Sequence, residues 1–186
     1  SPNAPQLQAL VSGRLLHVLV GSGEDELHIV AVYGVASPAG DTESIAEDLQ
    51  ETLAELLHGL QGKRVVVLGD LNGVRGAADR AKGRLHGYDT ADYALWRALS
   101  AAGYTDVPGA CVPGARHGAH WRRRGPTAGI DQVWAGGALR QAAGGAGDVR
   151  SGIATGTQPL SSDHALVAVS LPQRGGAAPP PSVTVT

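Results

Sequence analysis

The chain has 186 residues, 42% of them hydrophobic, which is enough to bury the core of one domain. Its formal charge of −2 excludes a protein that binds nucleic acid through a strongly basic surface, so any such contact must be local. A single cysteine, Cys111, excludes an internal disulfide and a zinc site built from several cysteines. No apolar run is long enough to span a bilayer and no signal peptide is visible, which favours an intracellular protein.

The first half of the chain predicts a hairpin, a helix and a central strand. Two β-rich runs, residues 13–20 and 27–33, are joined by a turn rich in glycine and acidic residues, as in a β-hairpin. Apolar residues between positions 41 and 60 fall on one face of a helix. The continuous apolar run of residues 65–68 is typical of a strand that is covered on both faces.

The second half carries weaker signals. Its apolar spacing predicts a helix from residue 89 or 90 to residue 102, ended by Gly103, and then a long irregular segment over residues 108–127. Two more strands are predicted within residues 129–134 and 164–171, separated by a loop rich in glycine and alanine. The alternation of strands and helices indicates an α/β fold.

These elements predict one domain over residues 13–171. Residues 1–12 form an N-terminal extension in this interpretation. Residues 172–186 are rich in proline, glycine and small side chains and too poor in large apolar groups to fold alone, which predicts a linker or tail.

Polar residues follow or begin three of the predicted strands. Asp70 and Asn72 stand in the sequence GDLN, Asp131 in GIDQVW, and Asp163 and His164 in SSDHAL. Each group alone has an ordinary structural explanation, because Gly, Asp and Asn are common in turns and a single Asp often bonds a nearby backbone amide. The combination, in this order, is more specific.

In that order the three groups resemble the motifs of the endonuclease/exonuclease/phosphatase superfamily, whose DNase I-like fold is a four-layer α/β sandwich. Residues 28–38 are similar to the strand of that family that ends in a site tyrosine, which indicates Tyr33. Residues 98–107 are similar to the helix and turn between its last motifs. The resemblance covers residues 13–171 and implies divalent-metal-dependent hydrolysis of phosphodiesters, with a DNA endonuclease as the leading activity of the full-length protein.

The resemblance also implies a role for each motif residue. Asp70 would orient or deprotonate the attacking water, and Asn72 would hold that water or donate to a phosphate oxygen. His164, in its charged form, would bond the phosphate while Asp131 accepts from its other ring nitrogen. Tyr33 would present its hydroxyl group to the phosphate.

The metal implied by the resemblance is Mg²⁺ or Mn²⁺, with Asp163 as a ligand. In the family, a metal-binding glutamate and an asparagine come from strands well upstream of the site tyrosine. Here only Asn3, Glu24 and Glu26 are available before Tyr33, and none matches the family pattern. The chain is therefore expected to lack the N-terminal strands of the fold, and another segment or chain would complete the sheet.

The substrate class rests on residues 116–129, which hold four arginines, two histidines and one tryptophan. Trp121 with Arg122, Arg123 and Arg124 could grip a phosphate backbone and stack on a base, although a solvated loop explains them equally well. DNA is therefore the expected partner, in a module such as a retroelement endonuclease. The alternatives are a phosphatase or phosphodiesterase acting on a phospholipid or inositol head group, or an inactive DNase I-like binding module.

Overall fold

The computed structural model describes residues 6–11, 13–36, 42–73, 94–106, 131–136, 138–139, 150–154, 166–170 and 182–185. These residues form a six-stranded sheet, a three-stranded sheet and two α-helices. The strands of the larger sheet are β1 (Gln6–Leu10), β2 (Leu15–Val20), β3 (Leu27–Val32), β4 (Val65–Asp70), β5 (Thr105–Asp106) and β6 (Asp131–Ala135). The smaller sheet contains β7 (Arg150–Ala154), β8 (Leu166–Ser170) and β9 (Ser182–Val185). The helices are α1 (Glu43–Gly59) and α2 (Ala94–Ala101).

The larger sheet has the order β1-β2-β3-β4-β6-β5. β2 and β3 pair antiparallel, which confirms the predicted hairpin, and a short 3-10 turn at Gly23–Asp25 connects them. β3 runs parallel to β4, while β6 runs antiparallel to β4. The carboxyl ends of β3 and β4 and the first residue of β6 therefore meet at one end of the sheet.

One face of this sheet packs against the two helices. Leu49, Leu53 and Leu57 recur every four residues along α1 and are fully buried, as the predicted helix requires. They meet alternate residues of the strands, because side chains along a strand alternate between its two faces. The buried sheet residues of this cluster are Leu15, Val30, Val32, Val65, Val67 and Trp134.

The other face of the sheet is also apolar. Val66 and Leu68 point away from the helix cluster yet are buried, as are Val133 and Ala135 on β6. β8 of the smaller sheet lies against β6. All four residues of the run 65–68 are thus buried, as expected of a strand covered on both faces.

Several elements differ from the predictions. β1 lies within the predicted extension 1–12 and β9 within the predicted tail 172–186, and each pairs with a neighbouring strand. The domain boundaries at residues 13 and 171 stay predictions. β7 lies in the segment that was predicted to be a loop, and the short β5 was not predicted.

Other predictions fall outside the described residues. α2 is described from Ala94, so the predicted start of this helix at residue 89 or 90 is not covered. The predicted irregular segment 108–127 also lies outside the described ranges. Neither of the described helices is long and apolar enough to cross a membrane.

Candidate active site

Four of the predicted site residues lie at the same end of the larger sheet. Tyr33 directly follows β3, Asp70 is the last residue of β4, and Asn72 follows two residues later. Asp131 is the first residue of β6, and the strand register sets it directly opposite Asp70. Residues that are distant in sequence are therefore brought together by the pairing of β4 with β3 and β6.

Two glycines allow the ends of β3 and β4 to approach closely. Gly69 has φ +139°, and a Cβ atom at this position would collide with the carbonyl oxygen of Val32. A Cβ atom on Gly34 would likewise collide with the backbone of Leu71. The backbone amide of Gly34 donates to the carbonyl oxygen of Asp70 at 2.8 Å. The glycine before Asp70 in the motif is thus a steric requirement of this junction.

Asn72 fixes the geometry of the turn that follows β4. Its backbone amide donates to the Oδ1 atom of Asp70 at 2.8 Å, which restrains this carboxylate. Its side-chain Nδ2 atom donates to the carbonyl oxygen of Gly34 at 2.9 Å. The residue has φ 55°, in the left-handed region that asparagine tolerates better than most residues. Since a side-chain amide has two N–H groups and an acceptor oxygen, this bond does not use its full capacity.

Tyr33 is exposed and lies beside a cation that the sequence analysis did not predict. The tyrosine is 53% exposed. The guanidinium carbon of Arg14 lies 4.9 Å from the centroid of its ring, and Nη1 donates to the carbonyl oxygen of Gly34 at 3.1 Å. Such a contact between a cation and an aromatic ring contributes about 0.5–1 kcal/mol at an exposed position. The arginine was missed because a lone basic residue at the start of a hairpin carries no pattern.

A second unpredicted contact joins β6 to the turn after β4. The side-chain Nε2 atom of Gln132 donates to the carbonyl oxygen of Gly73 at 3.0 Å. The indole Nε1 atom of Trp134 donates to Oε1 of the same amide at 3.1 Å. Both side chains are buried. The only signal in the sequence is a second polar residue, directly after Asp131, in a strand whose remaining residues are apolar.

The remaining predicted site residues lie outside the part of the chain that the structure describes. These residues are Asp163, His164, Trp121, Arg122, Arg123, Arg124 and Asn3. β8 begins two residues after the Ser-Asp-His motif and lies against β6. The roles that the resemblance implies for these residues stay predictions.

The two glutamates considered as metal ligands lie at the wrong end of the sheet. Glu24 and Glu26 precede β3, whereas Tyr33 follows it. A six-residue strand is about 20 Å long, so neither carboxylate reaches Asp70. Neither glutamate therefore replaces the metal-binding glutamate of the DNase I-like family.

The described site offers oxygen ligands of the kind that Mg²⁺ binds. Asp70 supplies a carboxylate, Asn72 an amide oxygen, and the backbone places Asp131 next to them. No group of three or more His, Cys, Asp or Glu residues that could hold a metal ion occurs among the residues described here. The chemistry of these side chains fits a hard divalent cation.

A partly buried histidine pair lies away from this site. His17 Nε2 and His28 Nδ1 are 3.0 Å apart on the neighbouring strands β2 and β3, with their rings stacked. Burial lowers the pKa of both imidazoles, and the charge of His17 lowers the pKa of His28 further. The pair belongs to the helix-facing side of the sheet and has no contact with the site residues.

The arrangement of these elements is that of DNase I-like proteins. No protein-family model matches the chain. A search of curated proteins found no match either. Among solved structures, the 3'-5' exonuclease NExo from Neisseria meningitidis has a TM-score of 0.70 and 22% identity, covering 92% of this chain and 73% of the exonuclease.

Two further structures are similar at lower identity. An AP endonuclease from Archaeoglobus fulgidus has a TM-score of 0.64 and 18% identity, covering 92% of this chain and 72% of that protein. The endonuclease domain of TRAS1, a telomere-specific non-LTR retrotransposon, has a TM-score of 0.55 and 15% identity, covering 87% of this chain and 64% of that domain. The chain therefore has a DNase I-like α/β fold, as its motifs implied.

Proposed function

We propose that this chain hydrolyses phosphodiester bonds with the help of a divalent metal ion, and that DNA is its substrate. The observation that carries the proposal is the convergence of Tyr33, Asp70, Asn72 and Asp131 at one end of the sheet of a DNase I-like fold. Nothing in ordinary packing requires a carboxylate, an amide, a second carboxylate and an exposed phenol at the same place. Phosphodiester hydrolysis needs groups of these types.

Each residue takes a separate part in the reaction. Asp70 orients a water molecule and accepts its proton while the water oxygen bonds to phosphorus and the bond to the leaving oxygen breaks. The side chain of Tyr33 donates to a non-bridging oxygen, and charged His164 donates to the phosphate with Asp131 as its partner. Asn72 restrains Asp70 through its backbone amide and can offer its second side-chain N–H group to the phosphate.

The metal would be Mg²⁺ or Mn²⁺, held by Asp163 together with oxygen atoms of Asp70 or Asn72. When bound, such a cation neutralises the charge that develops on the phosphate oxygens.

DNA is favoured by charge and by the names of structural neighbours. Arg14 sets a cation beside the exposed Tyr33, and Arg122, Arg123 and Arg124 add basic residues close behind Trp121 in the sequence. The neighbours include an exonuclease, an AP endonuclease and a 3' phosphatase bound to a product DNA hairpin. A retroelement module is consistent with the likeness to the TRAS1 domain.

The test is nicking of supercoiled plasmid by the 186-residue chain in Mg²⁺, with EDTA as the metal control. We expect metal-dependent nicking that Asp70→Asn and His164→Ala each reduce at least a hundredfold. Asp48→Asn, the same substitution on the exposed surface of α1, is the matched control and should keep full activity. A folded chain that does not nick DNA, or an active Asp70→Asn variant, would contradict the proposal.

The alternative substrate is distinguished by the same variants. Phosphate release from a soluble inositol phosphate, lost in Asp70→Asn, together with an intact plasmid would indicate a head-group phosphatase. A folded chain that binds DNA but cleaves neither substrate would indicate the inactive binding module. In each of these assays the variants are compared with the wild-type chain.

A further inference from the structure

A buried side-chain amide connects the two strands that carry the site carboxylates. Gln132 is 7% exposed and Trp134 is 3% exposed. The amide of Gln132 accepts from the indole of Trp134 at 3.1 Å and donates to the carbonyl oxygen of Gly73 at 3.0 Å. Since a buried polar group that loses its partner is costly, an amide bonded at both ends has one strongly preferred position.

The position of this amide relates it directly to the site. Gln132 follows Asp131 on β6, and Gly73 follows Asn72 in the turn after β4. The strand register sets Gln132 opposite Gly69, the residue before Asp70 on β4. The hydrogen bond from Gln132 to Gly73 therefore connects β6, which begins with Asp131, to the turn that follows Asp70.

The turn of residues 71–73 is held from both sides. On one side Asn72 Nδ2 donates to the carbonyl oxygen of Gly34, at the end of β3. On the other side Gln132 donates to the carbonyl oxygen of Gly73. Neither bond belongs to the regular ladder of the sheet, so each depends on a specific side chain.

We propose that Gln132 is a positioning residue for the hydrolysis proposed above: its amide, oriented by Trp134, fixes the turn of residues 71–73, which carries Asn72 and directly follows Asp70, relative to Asp131. The inference deepens the proposed function and rests on it. A merely structural role would be served by an apolar side chain such as that of Val133, which neighbours it on the same strand. A buried polar side chain whose donor bonds the turn after β4 serves orientation as well.

Two near-isosteric variants separate the hydrogen bonds from the packing. Gln132→Met keeps the length of the side chain and removes both hydrogen bonds. Gln132→Glu keeps its shape, replaces the donor to Gly73 by an oxygen, and regains a donor when the carboxyl group is protonated. Trp134→Phe keeps an aromatic ring and removes the indole donor. The control is Val65→Ala, a fully buried core change at the opposite end of β4.

Plasmid cleavage in Mg²⁺ gives the first readout. We expect Gln132→Met to lower kcat at least tenfold with KM within about threefold of wild type, because positioning acts on reacting groups rather than on binding. Trp134→Phe should lower kcat less. The activity of Gln132→Glu relative to wild type should rise as the pH falls. Val65→Ala should keep its kcat although it destabilises the fold.

Amide hydrogen exchange gives a second readout that needs no activity. In Gln132→Met, the amides of Asn72 and Gly73 should exchange at least tenfold faster, with no such local change in Val65→Ala. A kcat equal to wild type, a loss of kcat no larger than in the control, or unchanged exchange would overturn the positioning role. If the wild-type chain cleaves no DNA while exchange still responds, the proposed function fails and the restraint on the turn by Gln132 is upheld.

Discussion

Asn72 has two roles that substitutions can separate. Its left-handed backbone shapes the turn after β4, and its side chain bonds Gly34 across the junction with β3. Asn72→Gly removes the side chain and suits φ 55°, whereas Asn72→Ala removes the amide and places a Cβ atom in the left-handed region. Both variants keep the backbone amide that donates to Asp70.

The expected losses of unfolding free energy differ between the two variants. The bond to Gly34 contributes about 1 kcal/mol net, and its loss is moderated because Arg14 donates to the same carbonyl oxygen. Asn72→Gly should therefore lower the unfolding free energy by about 1 kcal/mol. Asn72→Ala should lower it by roughly 1 kcal/mol more, since left-handed backbone costs an alanine about 1–2 kcal/mol and its stiffer unfolded chain offsets part of this.

Gly62→Ala is the matched control for the backbone contribution. Gly62 has φ +76° and open space around the position of a Cβ atom, so this change measures left-handed strain without a steric clash. Its loss of unfolding free energy should equal the difference between Asn72→Ala and Asn72→Gly. Urea unfolding measures all three values.

Activity should not follow stability in this series. If the Asn72 amide acts at the site, both Asn72 variants lose about a hundredfold in plasmid nicking despite their unequal stabilities, and Gly62→Ala loses none. The reasoning is refuted if Asn72→Gly nicks DNA as well as wild type, because the contribution of Asn72 would then be conformational alone.

Three further predictions concern other parts of the sheet. Burial lowers the pKa of His17 and His28 below 6.5, so in acid the unfolded chain binds more protons than the folded chain. The free energy of unfolding should therefore be constant above about pH 7 and fall as the pH drops below 6.5. Urea unfolding at several pH values should show a weaker pH dependence in His28→Leu. Arg14→Met should weaken DNA binding and reduce the slope of log affinity against log salt concentration by about 0.9, whereas Arg14→Lys should keep the slope of the wild type. An unchanged slope in Arg14→Met would exclude a contact between Arg14 and a phosphate. Glu24→Gln and Glu26→Gln should nick plasmid within about twofold of wild type, because a strand of about 20 Å separates them from the site, and a large loss would contradict the register of β3.

Much of the candidate site could be predicted from sequence because strand ends carry local signals. The run 65–68 is continuously apolar since both faces of β4 are covered, and it stops where the glycine and Asp70 begin the turn. Tyr33 likewise follows directly after β3, the second strand of the predicted hairpin. Each signal lies within a few residues, and the polar groups that follow the strands indicated the site.

The contacts that join these residues depend on pairing between distant segments. Asp70 and Asp131 meet only because β6 pairs antiparallel with β4 in one register. The bonds from Arg14 to Gly34 and from Gln132 to Gly73 likewise follow from register. Short strands such as β1 and β9 were missed because their neighbours in the sheet, more than their own residues, determine strand formation.

The backbone at the two ends of the sheet supports the assignment of the site. At the end of the sheet where β3 begins, the residues with left-handed backbone are glycines, as at Gly21 and Gly23. At the other end, Val11 in the β1–β2 turn and Asn72 after β4 have positive φ, and they are the two non-glycine residues with this conformation among those described. A valine or an asparagine in the left-handed region is less favourable than a glycine, so the backbone is locally strained at these two positions. At the carboxyl end of β4, a left-handed asparagine, a close approach of two backbones and two aspartates opposite in register occur together, and proteins retain such locally unfavourable features mainly at functional sites.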